Sequence, residues 1–69
     1  MRRRVLAKEI YSMMIIERAT RNGGSIKLEE AAEEIGTGKT YAWKLLQDLV
    51  DRGMLERKGY GLYLLKKPG

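Results

Sequence analysis

The 69-residue sequence contains no cysteine and no histidine, and each absence closes off chemistry. Without cysteine there is no disulfide to staple a short chain, and without either residue the usual nitrogen and sulfur ligands of structural zinc are missing. The common nucleophile and general-base pairings go with them, leaving carboxylates, lysines, hydroxyls and tyrosines for any reaction. Neither an enzyme nor a metal or cofactor site is expected. No run of about 18 apolar residues exists, so a transmembrane span and a membrane partner are not expected either. Arg2, Arg3 and Arg4 stand before an apolar run, but Lys8, Glu9, Glu17 and Arg18 interrupt it and no small-residue cleavage site follows. The chain reads as intracellular: cytoplasmic and nucleoid-associated.

At this length residues 1–69 form one domain with a modest core, close to the lower limit of self-sufficiency. What the sequence has is charge, unevenly placed. Residues 1–27 hold seven basic and two acidic residues, 28–36 hold four acidic and no basic, and 37–69 hold seven basic and three acidic, for a net charge of +5. An acidic segment between basic ones suits a molecule with a basic working face and an acidic element turned away from it, as nucleic-acid binding requires.

The first helix is expected over about residues 3–21, free of proline and glycine and stopped by Asn22-Gly23-Gly24. At helical spacing Leu6, Ile10 and Met13 form one apolar stripe, assigned to the core. Ala7, Tyr11, Met14 and Ile15 form a second, which a small monomer would leave exposed. Ser25-Ile26-Lys27 has room only for a short extended segment. Leu28 to Ile35 then reads as a two-turn helix with Leu28, Ala31, Ala32 and Ile35 inward and Glu29, Glu30, Glu33 and Glu34 on a solvated face. Four glutamates on one short helix diverge, so a paired-carboxylate or metal site is not expected from them. Gly36-Thr37-Gly38 breaks the pattern. A third helix over about residues 39–52 buries Ala42, Leu45, Leu46 and Leu49 and ends at Gly53. Thr40, Lys44, Gln47 and Asp51 lie opposite, with Trp43 at the border. Residues 54–65 read as two short strands, Met54 to Arg57 and Gly61 to Leu65, joined around Lys58-Gly59-Tyr60. Lys66 to Gly69 form a tail.

Three helices, a three-residue break between the second and third, and a C-terminal hairpin resemble the winged helix-turn-helix domains of transcriptional regulators. The likeness is densest over residues 28–47, where Ala32, Ile35, Gly36 and Leu45 occupy the small, aliphatic, glycine and aliphatic places of the family's bihelical unit. The continuation Leu49-Val50-Asp51-Arg52-Gly53-Met54-Leu55-Glu56-Arg57 is similar to the family's passage from recognition helix into the first wing strand. Thr37 and Ala42 depart from the aliphatic residues usual there, and Gly38 replaces the usual Ser or Thr cap. A slightly looser turn and a weaker cap follow, not a different fold. The fold class expected is α+β, mainly α: three helices with a β-hairpin wing.

Gly36-Thr37-Gly38-Lys39-Thr40 also mimics the end of a phosphate-binding P-loop. That pattern needs glycine where Glu33 stands, and a buried strand before it, so no nucleotide partner is expected. The resemblance instead implies a third helix in the major groove of double-stranded DNA and a wing on the backbone or minor groove. Its contact candidates are Lys39, Thr40, Tyr41, Lys44 and Gln47 on the helix and Arg57 and Lys58 on the wing. Lys44 and Gln47 suit base edges, since Lys favours guanine and Gln adenine. Lys39 and Tyr41 at the helix entrance suit phosphates. Trp43 is expected to pack against the wing or first helix, Tyr60 to be exposed at the wing tip, and Tyr63 to be core or wing packing. A homodimer held by Ala7, Tyr11, Met14 and Ile15 would cover the second stripe and pair two recognition helices on a symmetric site. The function expected is sequence-specific DNA binding by a transcriptional regulator. The alternative is a winged-helix module of a replication, transcription or membrane-remodelling assembly that binds protein. The operator, any effector and the sign of regulation leave no trace in the sequence.

Overall fold

A computed structural model describes residues 7–66; Leu6, the arginines at 2–4 and the tail beyond Lys66 lie outside the described residues. The elements run α1 (Ala7–Arg21), β1 (Ser25–Lys27), α2 (Leu28–Ile35), α3 (Lys39–Asp51), β2 (Leu55–Gly59) and β3 (Leu62–Leu65). The strands form one antiparallel sheet in the order β1-β3-β2. This is a winged helix-turn-helix architecture, α+β and mainly helical. The short segment before α2 is a sheet strand: Ile26 pairs with Tyr63 and Lys27 with Leu62.

Each boundary has a local cause. Helix α2 starts where the Lys27 backbone N–H donates to Glu30 Oε1 at 2.9 Å, half of a capping box. The next amide, Leu28 N–H, donates to the Gly61 carbonyl at 2.9 Å and ties the wing turn to the helix start. Helix α2 ends at Gly36, whose φ of 70° is left-handed and lets its N–H return to the Ala32 carbonyl at 2.9 Å. Helix α3 begins at Gly38 with no side-chain cap, as its sequence implies. It ends with Gly53 N–H on the Val50 carbonyl and Met54 N–H on the Leu49 carbonyl, the double bond of a Schellman motif.

The core is built from Ile15 and Ala19 of α1, Ile26 of β1, Ala31, Ala32 and Ile35 of α2, Ala42, Leu45, Leu46 and Leu49 of α3, and Leu55 and Tyr63 of the hairpin. The inward stripes expected for α2 and α3 are those found, with Leu28 half-buried against the core.

Helix α1 is rotated from the expectation. Its buried stripe is Ser12, Ile15 and Ala19, spaced i, i+3, i+7 as a helix face requires. Ile10 is 46% and Met13 70% exposed, whereas Ile15 is fully buried and Tyr11 and Met14 pack half-buried against the core. Ile15, Tyr11 and Met14 therefore serve the chain's own interior and are not a free dimer face; of that set only Ala7 is exposed. The physical reason is close packing. A small serine and alanine let α1 approach its neighbours, while counting apolar side chains assigns the bulkier Ile10 and Met13 inward. The wing differs in its turn, which falls at Tyr60-Gly61. The register slips between Arg57 and Gly59, leaving Lys58 as the extra residue of a bulge.

Candidate nucleic-acid interface

Helix α3 is held on its inner side by three leucines and Ala42, which fixes what its outer side presents. Thr40, Lys44, Gln47 and Asp51 follow at i, i+4, i+7 and i+11, one continuous stripe. All but Gln47 are exposed, and Gln47 is half-buried. Lys44 and Gln47 share a shallow groove of about 400 Å³ with Tyr41, Trp43 and Asp51. Trp43 is 43% exposed in that groove, which Lys8 of α1 also lines. Its place on the helix surface turns it out beside Gln47. Tyr41 is anchored rather than free: its ring meets Tyr11 of α1 edge-on, centroids 6.0 Å apart at 84°, a favourable aromatic geometry.

Lys39 and Thr40 are exposed at the uncapped N-terminus of α3. The first amides of a helix lack intrahelical partners and carry its positive dipole end, so this end attracts anions. Arg57 and Lys58 stand exposed on β2, an edge strand, outside the α3 groove. The bulge at Lys58 re-aims this side chain away from the regular alternation of the strand. Tyr60 is fully exposed at the wing tip and Tyr63 is buried.

The cations divide sharply by partner. Arg18 of α1 donates to Glu34 Oε1 at 2.9 Å and lies 3.8 Å from Glu30 and 4.0 Å from Glu33. Arg21 reaches Glu34 at 3.4 Å, and Asn22 donates to Glu30 at 3.3 Å. The acidic face of α2 is thus not simply solvated: Glu30 and Glu34 are paired with α1, while Glu29 and Glu33 stay exposed. Lys8 and Arg52 both pair with Asp48, at 3.6 and 3.1 Å. In contrast, Lys39, Lys44, Arg57 and Lys58 form no ion pair with any described residue. Sequence reasoning missed Arg18 because its partners lie 12 to 16 positions away, on another element. Among the described residues no group of acidic side chains is arranged to hold a metal ion, and no helix is long and apolar enough to cross a membrane.

The sequence matches no protein-family model, and no curated protein is similar to it at a significant level.

Proposed function

We propose that this protein binds double-stranded DNA sequence-specifically and acts as a transcriptional regulator, with α3 in the major groove and the β2–β3 wing along the backbone. The observation that carries this reading is the partition of cations: Arg18 and Arg21 of α1 face glutamates of α2, and Lys8 and Arg52 are held by Asp48, while Lys39, Lys44, Arg57 and Lys58 on α3 and the wing form no ion pair with any described residue. An unpaired surface cation is the group that displaces counterions from a phosphate chain. Lys39 and the α3 N-terminus hold phosphates and set the register. Lys44 and Gln47, one turn further along, read guanine and adenine edges. Trp43 lies beside them, where an indole packs on a sugar or a thymine methyl. Asp51 at the far end keeps the C-terminal half of the helix away from the phosphates.

A titration with duplex DNA at several salt concentrations tests this. Log K falls linearly with log[salt], with a slope reporting several phosphate contacts per protomer. A flat slope, or no binding at low salt, rejects the proposal. The exposed Trp43 and Tyr60 favour one second reading, a protein-interaction module, since aromatics are enriched in protein interfaces; that reading gains from the same negative result.

A further inference from the structure

Gly59 is a glycine that the fold does not require. Gly61, across the wing turn, has a left-handed φ of 72°, but Gly59 does not, and a Cβ built on it meets no described atom within 4 Å. The bulge at Lys58 makes no demand on it either, since only a left-handed bulge residue calls for glycine. Gly59 lies in β2, where glycine weakens a strand relative to a residue with a side chain. A strand glycine with no internal reason marks a place where something from outside approaches closely.

What it leaves uncrowded is Tyr60. The ring is fully exposed at the apex of the turn, with a glycine on either side. The turn beneath it is firmly mounted: the Gly61 carbonyl accepts from Leu28 N–H at 2.9 Å, and Leu62 pairs with Lys27 at the foot of the turn. Just before it, Arg57 and Lys58 form no ion pair with any described residue.

We propose that Tyr60 is a wedge, which enters the minor groove and inserts its ring at a pyrimidine–purine step, bending the duplex. This rests on the DNA-binding reading and adds a site to it. A minor groove about 6 Å wide admits one flat ring more readily than a ring with bulky neighbours, and glycine at both 59 and 61 keeps the neighbours bare. Arg57 and Lys58 meet the phosphates at the groove's edge and set the ring over the bases. The pinned turn has little freedom left to lose on insertion. Stacking of the ring on a base offsets part of the cost of parting the step, and TA and CA steps part most easily. The wing thereby selects sequence at a position that no hydrogen bond reads. A protein partner would gain little contact area from one ring between two glycines.

Two short duplexes of equal length and base composition test this at low salt, one of alternating TA steps and one an A-tract, each carrying a donor and an acceptor dye at its ends. A wing acting through its cations alone prefers the narrow groove of the A-tract, whereas a wedge prefers the flexible TA steps. The wild type binds the alternating duplex about tenfold more tightly and shortens its end-to-end distance. Tyr60→Ala loses both the preference and the shortening, and Tyr60→Phe, which keeps the ring, retains them. Gly59→Val behaves like Tyr60→Ala on DNA although its melting temperature is unchanged or raised, a separation that a merely structural glycine would not show. Tyr60→Ala, altering a fully exposed side chain, stands in if the valine variant unfolds. Binding of both duplexes by the wild type without shortening, or with a preference for the A-tract, overturns the wedge and leaves the DNA reading standing. So does a Tyr60→Ala variant that bends the alternating duplex as the wild type does. Failure to bind either duplex rejects the DNA reading itself and the wedge with it.

Discussion

The α1–α2 side and the α3–wing side of this molecule use the same residue types for opposite ends. On the first, Arg18 and Arg21 meet Glu30, Glu33 and Glu34, so charge is consumed in joining two helices. On the second, Arg52 is spent on Asp48, but Lys39, Lys44, Arg57 and Lys58 meet no described acid, so their charge stays available to a partner. A net charge of +5 therefore understates the polarity of the protein. The lesson is that a cation's neighbours, more than its presence, decide whether it is structural or functional.

Two sets of substitutions can break that comparison, and the larger effect is expected on the free side. Lys44→Ala and Gln47→Ala each cost about 1–3 kcal/mol at a cognate site and narrow the gap between specific and random DNA. Lys58→Ala weakens all sequences about equally and lowers the salt slope by about 1. Thermal unfolding of the Lys44 and Lys58 variants stays near that of the wild type, because exposed side chains away from the core change stability little. If Lys44→Ala lowers stability and spares DNA affinity, the assignment of the two sides is wrong.

Arg18→Ala is the converse. Its side chain is 23% exposed and its loss leaves three glutamates facing each other. A stability loss of about 1–2 kcal/mol is expected, below the cost of breaking a fully buried pair because water still reaches the site. DNA affinity, measured under conditions where the variant is folded, changes by less than the Lys44→Ala effect. Denaturant unfolding with parallel DNA titration separates the two outcomes.

Gly36→Ala probes the turn that joins the two sides. With φ at 70° an L side chain is strained, and a loss of about 1 kcal/mol follows even though a Cβ would meet nothing within 4 Å. An unchanged melting temperature would mean that the turn relaxes without cost, and that the α2–α3 geometry is not fixed by this residue.

The readability of the sequence divides along similar lines. Helices α2 and α3 were legible because glycines punctuate them and their apolar residues recur at helical spacing; α2 lies at 28–35 as expected and α3 ends one residue earlier than the 39–52 reading. The candidate contact residues of α3 were legible for the same reason, since a known inner stripe fixes the outer one. Lys58's bulge and the Arg18 network were not, because both depend on pairing between distant elements. How far Trp43 is exposed was not legible either, because a border position has no periodicity to decide it. Helix α1 was misread for a different reason. Its buried stripe contains Ser12, and a hydropathy argument discards serine from a core that in fact selects for small volume.

Ser12 is therefore the place for the smallest and most discriminating substitution. The residue is 4% exposed, and its hydroxyl oxygen is buried with no hydrogen-bond partner among the described residues. Burying such a group costs free energy that no contact returns, whereas alanine keeps nearly the same volume. Alanine is also the better helix former. Against these gains stands only the loss of one oxygen's packing contacts, a small amount in a stripe made of small side chains. Ser12→Ala is expected to raise stability by about 0.5–1 kcal/mol, a rise in melting temperature of roughly 2–8 °C for a domain of this size. Ser12→Val, which adds volume where α1 lies close to its neighbours, should instead lower it. A loss of stability in Ser12→Ala would show that the hydroxyl finds a partner in solution, the carbonyl one turn earlier being within reach of a helical serine. The serine would then have been kept for its hydrogen bond and not for its size, and the account of why α1 turns this face inward would fail with it.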